Sequence, residues 1–437
     1  MVVPSVRFGL SFVPPDVVGA MKKIFDAGFD VWLVGGALRD LLLKVKPKDW
    51  DLATSAGPEQ IMKIFPRVIP VGIRHGTVQV HTKARDIEVT SFEPQGMEGI
   101  LKDLGRRDFT INALALSYPD GILIDPHDGM ADIKKKMIRA VLDGPSRFSE
   151  DPLRIVRAGR LSSIYGFAVD SATFEAMRGE AENLEKISGE RIRDELCKIL
   201  VSAYPIEAFD LLRKCWALGK LLPELIVRDH VDTIPGSGIS VYKHSMLCVR
   251  NTPKALRIRL AALFHNAGVP ATGARGDKVP RDFSKESAYT ASVRMKKWNM
   301  SNKQIEDVVT LIENQLPVDA EIWSDAEIRR FLVRFRPELL DDIIALAKAE
   351  SLTEGQTDLE RIDKLHSRMR EQLKTMSAFK MEDLAVGGRE IMGILGLSPG
   401  PEVGKVLRGL FDMVLDHPDL NTHESLIEIV KRDFRNE

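Results

Sequence analysis

No apolar run in this sequence approaches the roughly 20 residues needed to cross a bilayer. The longest, such as Val31–Val34 with the glycines after it, stop far short of that, so a membrane protein is not expected. Cysteine is scarce: Cys197, Cys215 and Cys248 are widely spaced and odd in number, which excludes a disulfide framework and a CxxC zinc site. The N-terminus lacks a basic segment followed by a long apolar one, so no secretory leader is expected and a reducing, cytoplasmic setting is. Net charge is almost absent, with 62 basic against 63 acidic residues, so no whole-chain charge argument for nucleic-acid binding can be made. Internal repeats and low-complexity tracts are missing too. What is there is a globular balance, 44% hydrophobic and 29% charged over 437 residues, enough for about two to four domains.

Periodicity divides the chain. Up to about residue 125, strand and helix patterns mix: a helix over Val17–Phe25, a strand over Asp30–Val34 running into Gly35-Gly36, a strand over Trp50–Ala53, a helix over Pro58–Ile64, and strands over Gly76–His81, Asp86–Ser91 and Gly121–Ile124. From about residue 148, helical periodicity takes over, beginning with Leu153–Tyr165. It continues to the charged helix Asp358–Met376 and a last segment from Met381. Asn266–Asp282 is the most irregular stretch. The pattern predicts an α+β fold: a small mixed-sheet head followed by an elongated all-α portion.

The chemistry concentrates around Gly35. Glycines between a strand and a helix let backbone N–H groups approach a phosphate, and Arg39 adds a forked donor. Asp49 and Asp51, at i and i+2 of a strand, would stand side by side on one face. Two carboxylates without an intervening cation repel each other, and Mg²⁺ shared with substrate phosphates meets that need. Glu88, on the alternating strand Asp86–Ser91, could complete the cluster. Further on, Lys134–Arg160 carries eight basic residues against three acids, a local anion-binding surface. Asp151, Arg154, Arg157 and Arg160 recur every three residues along one slowly drifting helical face; alone they also suit a salt-bridge ladder. A carboxylate only accepts and a guanidinium only donates. Asp151 beside Arg154 therefore matches the amino donor and ring acceptor of cytosine or adenine, and mismatches guanine and uracil.

Gly35-Gly36-Ala37-Leu38-Arg39-Asp40 and Lys48-Asp49-Trp50-Asp51 resemble the signature of the class II tRNA nucleotidyltransferases and bacterial poly(A) polymerases. Arg106–Ala113 (RRDFTINA), Glu150–Arg157 (EDPLRIVR), Glu190-Arg191-Ile192 with Glu195-Leu196, and the stretch from Pro399 to Asn421 follow in the family's order. The resemblance implies two-metal nucleotidyl transfer to RNA, with Mg²⁺ on Asp49 and Asp51 and Glu88 as the third carboxylate. It implies that Arg107 contacts the nucleotide, that Asp108 meets the ribose hydroxyl and that Asn112 supports that geometry. Asp151 and Arg154 would serve as the protein template for CTP or ATP, with Arg157 and Arg160 holding triphosphate or base. The partner would be a tRNA, bound through its acceptor arm and elbow. The implied division is a catalytic head at 1–147, a base-recognition neck at 148–225, a body at 226–376 and a tRNA-binding tail at 377–437.

Two features depart from fuller relatives. Only Glu93–Gly105 separates Phe92 from Arg106, where CCA-adding members carry a longer basic loop; such shortening marks enzymes that add only the two cytidines. Asn266 follows His265 where some relatives have a His-Asp metal pair, so His265 and His244 read as ordinary core or surface residues. The Gly-Thr step in Val71–Val78 points to the tRNA-specific branch rather than to the poly(A) polymerases. A non-catalytic RNA-binding homologue is disfavoured by the intact acidic pair.

Overall fold

The computed structural model describes residues 5–72, 76–226, 239–269, 283–317, 320–356, 359–376, 378 and 380–434. Positions 73–75 of the Gly-Thr segment and 270–282 of the irregular stretch lie outside the described residues. The chain divides into two compact units, Met1–Pro223 and Glu224–Glu437.

The first unit is built on an eight-stranded mixed sheet. Its strands are β1 (Ser5–Arg7), β2 (Val31–Val34), β3 (Asp51–Thr54), β4 (Val68–Gly72), β5 (Thr77–His81), β6 (Asp86–Ser91), β7 (Ala115–Ser117) and β8 (Ile122–Ile124), in the order β1-β8-β7-β2-β3-β6-β5-β4. β3 and β6 run parallel; the other pairings are antiparallel. β4 holds Pro70 and lies at an edge, where a missing N–H costs no ladder bond.

Helices α1 (Pro15–Asp26), α2 (Gly36–Leu42), α3 (Pro58–Ile64), α4 (Met97–Gly105) and α5 (Gly129–Lys135) are interspersed among the strands. In α1, Val17, Ala20, Met21 and Ile24 recur at helical spacing and are buried. Ile100 and Leu104 of α4 join Val34, Ala53 and Phe92 in one apolar cluster. The helical part of this unit follows: α6 (Gly144–Glu150), α7 (Leu153–Tyr165), α8 (Ser171–Glu180), α9 (Gly189–Leu200), α10 (Pro205–Lys214) and α11 (Ala217–Leu221). The short parallel pair β9 (Met137–Ile138) and β10 (Ala168–Val169) precedes α6 and follows α7. α7 packs closely on α10: a Cβ added to Gly159 would lie 3.3 Å from Leu212 Cγ.

The second unit is helical throughout its described residues. Val241–Asn251, Leu256–Phe264, Ser284–Lys297, Asn302–Glu313, Asp325–Arg334, Leu340–Thr353 and Glu360–Thr375 come first. Gly388–Leu395, Pro401–Asp416 and His423–Asp433 then enclose a separate core of Ile391, Leu410, Leu426 and Val430. No helix among the described residues is long and apolar enough to cross a membrane.

Of the two places expected for His244 and His265, core or surface, the structure shows the core. They are 1% and 0% exposed, and Asn266, 2% exposed, donates its amide to His244 Nδ1 at 3.0 Å and His265 Nε2 at 2.9 Å. His265 Nδ1 faces the Ala262 carbonyl at 2.7 Å, which fixes a neutral tautomer. Burial lowers both imidazoles, His244 to about 4 and His265 to about 3, the latter helped by His244.

Candidate active site

β2 ends at Val34, whose register partner on β3 is Asp51. The chain then turns at Gly35, with φ +74°, into α2. Only glycine fits there. A Cβ at Gly35 would lie 2.7 Å from Asp51 Oδ2 and 3.0 Å from Arg107 Nη1. A Cβ at Gly36 would lie 3.2 Å from Arg39 Nη2. The glycine pair therefore lets the backbone pass directly beside a carboxylate and two guanidinium groups.

Asp51 opens β3, and its partner on the parallel strand β6 is Glu88. The strand expected over Trp50–Ala53 begins one residue later, at Asp51, so Asp49 lies just before it rather than on it. Asp49 and Trp50 precede β3, because the chain that would pair with them has left the sheet at Gly35. Asp49 is exposed, yet still acts on Asp51 electrostatically. Burial pushes the Asp51 carboxyl up to about 6, with Glu88 and Asp49 adding to the rise and Arg107 and Arg39 opposing it. That is an acidic cluster whose charge is not fully met by protein cations. Among the described residues, no group of three or more His, Cys, Asp or Glu could hold a metal by itself. This donor set fits Mg²⁺ completed by substrate phosphates and water, the coordination Mg²⁺ prefers.

Arg39, expected as a forked phosphate donor, is engaged within the protein here. It is buried, and all three of its nitrogens are engaged: Nε and Nη2 with Asp40 Oδ1 at 3.0 and 2.8 Å, Nη1 with Asn112 Oδ1 at 2.5 Å. Its guanidinium also stacks 4.7 Å from the centre of the Tyr165 ring. Arg107 is held by Asp103 on α4, through Nε at 3.1 Å and Nη2 at 3.0 Å, which leaves Nη1 facing Gly35.

Asp108 and Asn112 are both buried. Asp108 Oδ1 accepts from the Phe109 N–H at 2.8 Å and from Asn112 Nδ2 at 2.9 Å. Asp108 Oδ2 lies 2.9 Å from Arg157 Nη2 as an ion pair, but without hydrogen-bond alignment. Burial works to raise this carboxyl, while Arg157, Asn112, the Phe109 N–H and Arg154 together hold it below the ordinary carboxylate range.

The four residues spaced by three do not form a ladder among themselves. Asp151 Oδ2 accepts from Arg191 Nη2 of α9 at 2.9 Å, and Arg160 Nε donates to Glu195 of the same helix at 2.5 Å. Arg157 pairs with Asp108. Arg154 donates to the carbonyl of Arg106 at 2.9 Å, to that of Arg147 at 3.1 Å and to Glu150 at 3.4 Å. Asp151 caps the end of α6 in extended conformation and so does not share the helical face expected of the four, because Pro152 caps the start of α7 after it. The three arginines on α7 are oriented by groups outside that helix, and Asp151 and Arg154 are pre-set by neighbours rather than by each other. Sequence reasoning gave no role to Arg191, Glu195, Asp103, Asp40 or Tyr165. The first two lay in a noted motif at i, i+4 spacing, which would place both on one helical face.

The mixed sheet, the glycine turn beside a carboxylate cluster and the arginine-lined helix define a nucleotidyltransferase of the polymerase-A head type. Residues 31–139 match the Poly A polymerase head domain, 166–227 the probable RNA and SrmB-binding site of polymerase A, and 285–430 the tRNA nucleotidyltransferase domain 2 family. The CCA-adding enzyme of Leuconostoc mesenteroides is 30% identical over 434 residues, covering 95% of this chain and 96% of its own. That of Lactococcus lactis subsp. cremoris is also 30% identical, over 97% of this chain and 98% of its own. The crystal structure of the Bacillus stearothermophilus CCA-adding enzyme in complex with CTP superimposes with a TM-score of 0.73 at 26% identity, covering 97% of this chain and 98% of that one. The chain belongs to the CCA-adding enzyme family. Nucleotidyltransferases of this family generally use a divalent metal.

Proposed function

We propose that the protein extends the 3′ end of tRNA from CTP, without a nucleic-acid template, in the cytoplasm. The observation that carries this reading is the convergence at Gly35 of the Asp51 carboxylate, raised to about 6 beside Glu88 and Asp49, with the Arg107 guanidinium. The tRNA 3′ hydroxyl oxygen forms a bond to the α-phosphorus, the bond from that phosphorus to the α–β bridging oxygen breaks, and pyrophosphate leaves. Glu88 orients the attacking hydroxyl and takes its proton. Asp49 and Asp51 would hold Mg²⁺, which when bound would neutralise charge on the phosphates and the acidic cluster. Gly35 and Gly36 give the triphosphate close access to the backbone. Arg107 meets the nucleotide, and Arg157 and Arg160 of α7 help hold its triphosphate or base. Arg39 acts by holding Asn112 rather than by reaching phosphate.

Asp108 accepts from the ribose, since its Oδ2 and Arg157 Nε are both buried without a hydrogen-bond partner. A hydroxyl, donor and acceptor at once, satisfies both. Asp151 and Arg154 read the Watson–Crick edge. Residues 1–147 serve as catalytic head and 148–225 as neck. Residues 226–376 serve as body and 377–437 as tail, and these two contact the tRNA acceptor arm and elbow through shape and phosphates.

The test is incubation with a tRNA lacking its last three nucleotides, with CTP and ATP separately and together. The reading requires incorporation from CTP that depends on divalent metal. Long ATP-only tails on unrelated RNA ends would instead identify a poly(A) polymerase, and absence of any metal-dependent incorporation would leave only RNA binding.

A further inference from the structure

A ring of side chains leaves α7 at its last residue and returns to it two turns earlier. The Tyr165 hydroxyl donates to Asp40 Oδ1. The same oxygen accepts from Arg39 Nε and Nη2. Arg39 Nη1 donates to Asn112 Oδ1, Asn112 Nδ2 donates to Asp108 Oδ1, and Asp108 Oδ2 faces Arg157 Nη2 at 2.9 Å. Arg157 is on α7, eight residues before Tyr165, so the two share a face of that helix.

The ring has no freedom of polarity. Arginine only donates and aspartate only accepts. Asn112 must therefore turn its oxygen to Arg39 and its amide nitrogen to Asp108. That fills Asp108 Oδ1 and leaves Oδ2 as the open acceptor. Burial pushes the Tyr165 phenol up to about 12, so it stays a donor at neutral pH.

We propose that Tyr165 is a positioning residue for ribose selection: its hydroxyl fixes Asp40, and through Arg39 and Asn112 it sets where the open oxygen of Asp108 points. The proposal rests on the reading of Asp108 as the ribose acceptor. It gives the end of the base-reading helix a second task, that of registering the sugar pocket of the head against that helix.

The test uses the full chain and a trimmed tRNA, comparing kcat/KM for CTP with that for dCTP. Tyr165→Phe keeps the ring against Arg39 and removes only the hydroxyl. Its preference for CTP over dCTP should fall roughly three- to tenfold, the scale of one hydrogen bond. A merely structural loss would lower both rates together and leave the ratio unchanged, whatever fraction of the variant is folded. Asp108→Asn is measured alongside and should largely erase the preference. If Asp108→Asn erases it and Tyr165→Phe leaves it intact, the positioning role is overturned and the ribose reading stands. If neither variant moves the ratio, both fall.

Discussion

The half-buried Asp51, with Asp49 and Glu88 exposed beside it, and the fully buried His244–His265–Asn266 cluster of the second unit deal with titratable groups in opposite ways. In the second, the imidazoles are neutral and share one amide: Asn266 donates to both, His244 Nε2 is left buried without a hydrogen-bond partner, and both rings are lowered far below the usual histidine range. Glu350, 3.9 Å from His265, is raised to about 7 by burial and by Glu354. An ion pair would raise the imidazole and lower the carboxyl; here both move toward neutrality, so the contact is not a salt bridge. In the first cluster the carboxylates stay close to one another without full compensation. Polar groups that shed their charge and share a donor can sit inside a core even where one N–H is left over. Charge left unmet beside a glycine turn marks a place where a ligand completes the balance.

The sharpest way to break this contrast is to remove the charges. Asp49→Ala or Asp51→Ala should lower nucleotide incorporation at least ~10³-fold while tRNA affinity stays nearly intact. His265→Ala should do the reverse, lowering the melting temperature while leaving the rate per folded molecule near wild type. Single-turnover rates and gel-shift binding on the same preparations separate the two patterns.

Next in size is addition of the terminal adenosine. In the proposed mechanism one pocket would serve C and A, which differ in size and in the placement of their Watson–Crick edges, so Asp151 and Arg154 would have to be re-aimed. The segment that could act as lever is α4 and its approach. It packs Ile100 and Leu104 into the core and ends at Gly105 and Arg106, whose carbonyls accept from Arg147 and Arg154. It touches the reading helix yet has little free chain with which to move it. We expect the dominant product from a tRNA ending before CCA, with both nucleotides present, to be two residues longer. A product three longer, formed as fast as the first two additions, would remove α4 from the account.

Base selection should change less. Asp151→Ala or Arg154→Ala should let UTP or GTP compete better while CTP use falls, by the roughly 1.5–3 kcal/mol of a hydrogen bond to a charged group. Competition assays measure it. A uniform drop in rate with unchanged selectivity would make both residues supports for α7, consistent with their bonds to Arg191 and Arg106.

A pH profile gives the gentlest change. Asp51 must be ionised to hold a cation, so the rate at low Mg²⁺ should fall as pH drops through about 6. Raising Mg²⁺ should move that limb to lower pH, because metal and proton compete for one carboxylate. A limb that ignores Mg²⁺ belongs to another group.

Local pattern made much of this legible. Pro58–Ile64, Asp86–Ser91 and Leu153–Tyr165 have the predicted bounds, because proline starts, strand alternation and helical spacing agreed there. α4 falls in Glu93–Gly105, which reads as a shortened loop. Gly99 is demanded by packing, since a Cβ would lie 1.7 Å from the Pro94 carbonyl oxygen. β7 is three residues long and fully buried, with no alternation to read. At the site, the expected residues do gather within the first unit. Their partners were unreadable because the bonds that orient them, Arg39 to Asn112, Arg160 to Glu195 and Tyr165 to Asp40, join positions remote in sequence.

The central claim is that Asp51 carries charge awaiting a cation, and thermal unfolding of wild type and Asp51→Asn at pH 8, with and without Mg²⁺, tests it most directly. A carboxyl with folded pKa near 6 and unfolded pKa near 4 favours the folded state when protonated. Its contribution is present below about pH 4, is lost as pH rises through about 6, and is fully absent at pH 8. Metal-free Asp51→Asn should therefore melt a few degrees above metal-free wild type, a gain of roughly 1–2 kcal/mol after screening. Mg²⁺ should raise the melting temperature of wild type and not that of the variant. A variant that melts lower than wild type without metal, or that responds equally to Mg²⁺, would contradict the account.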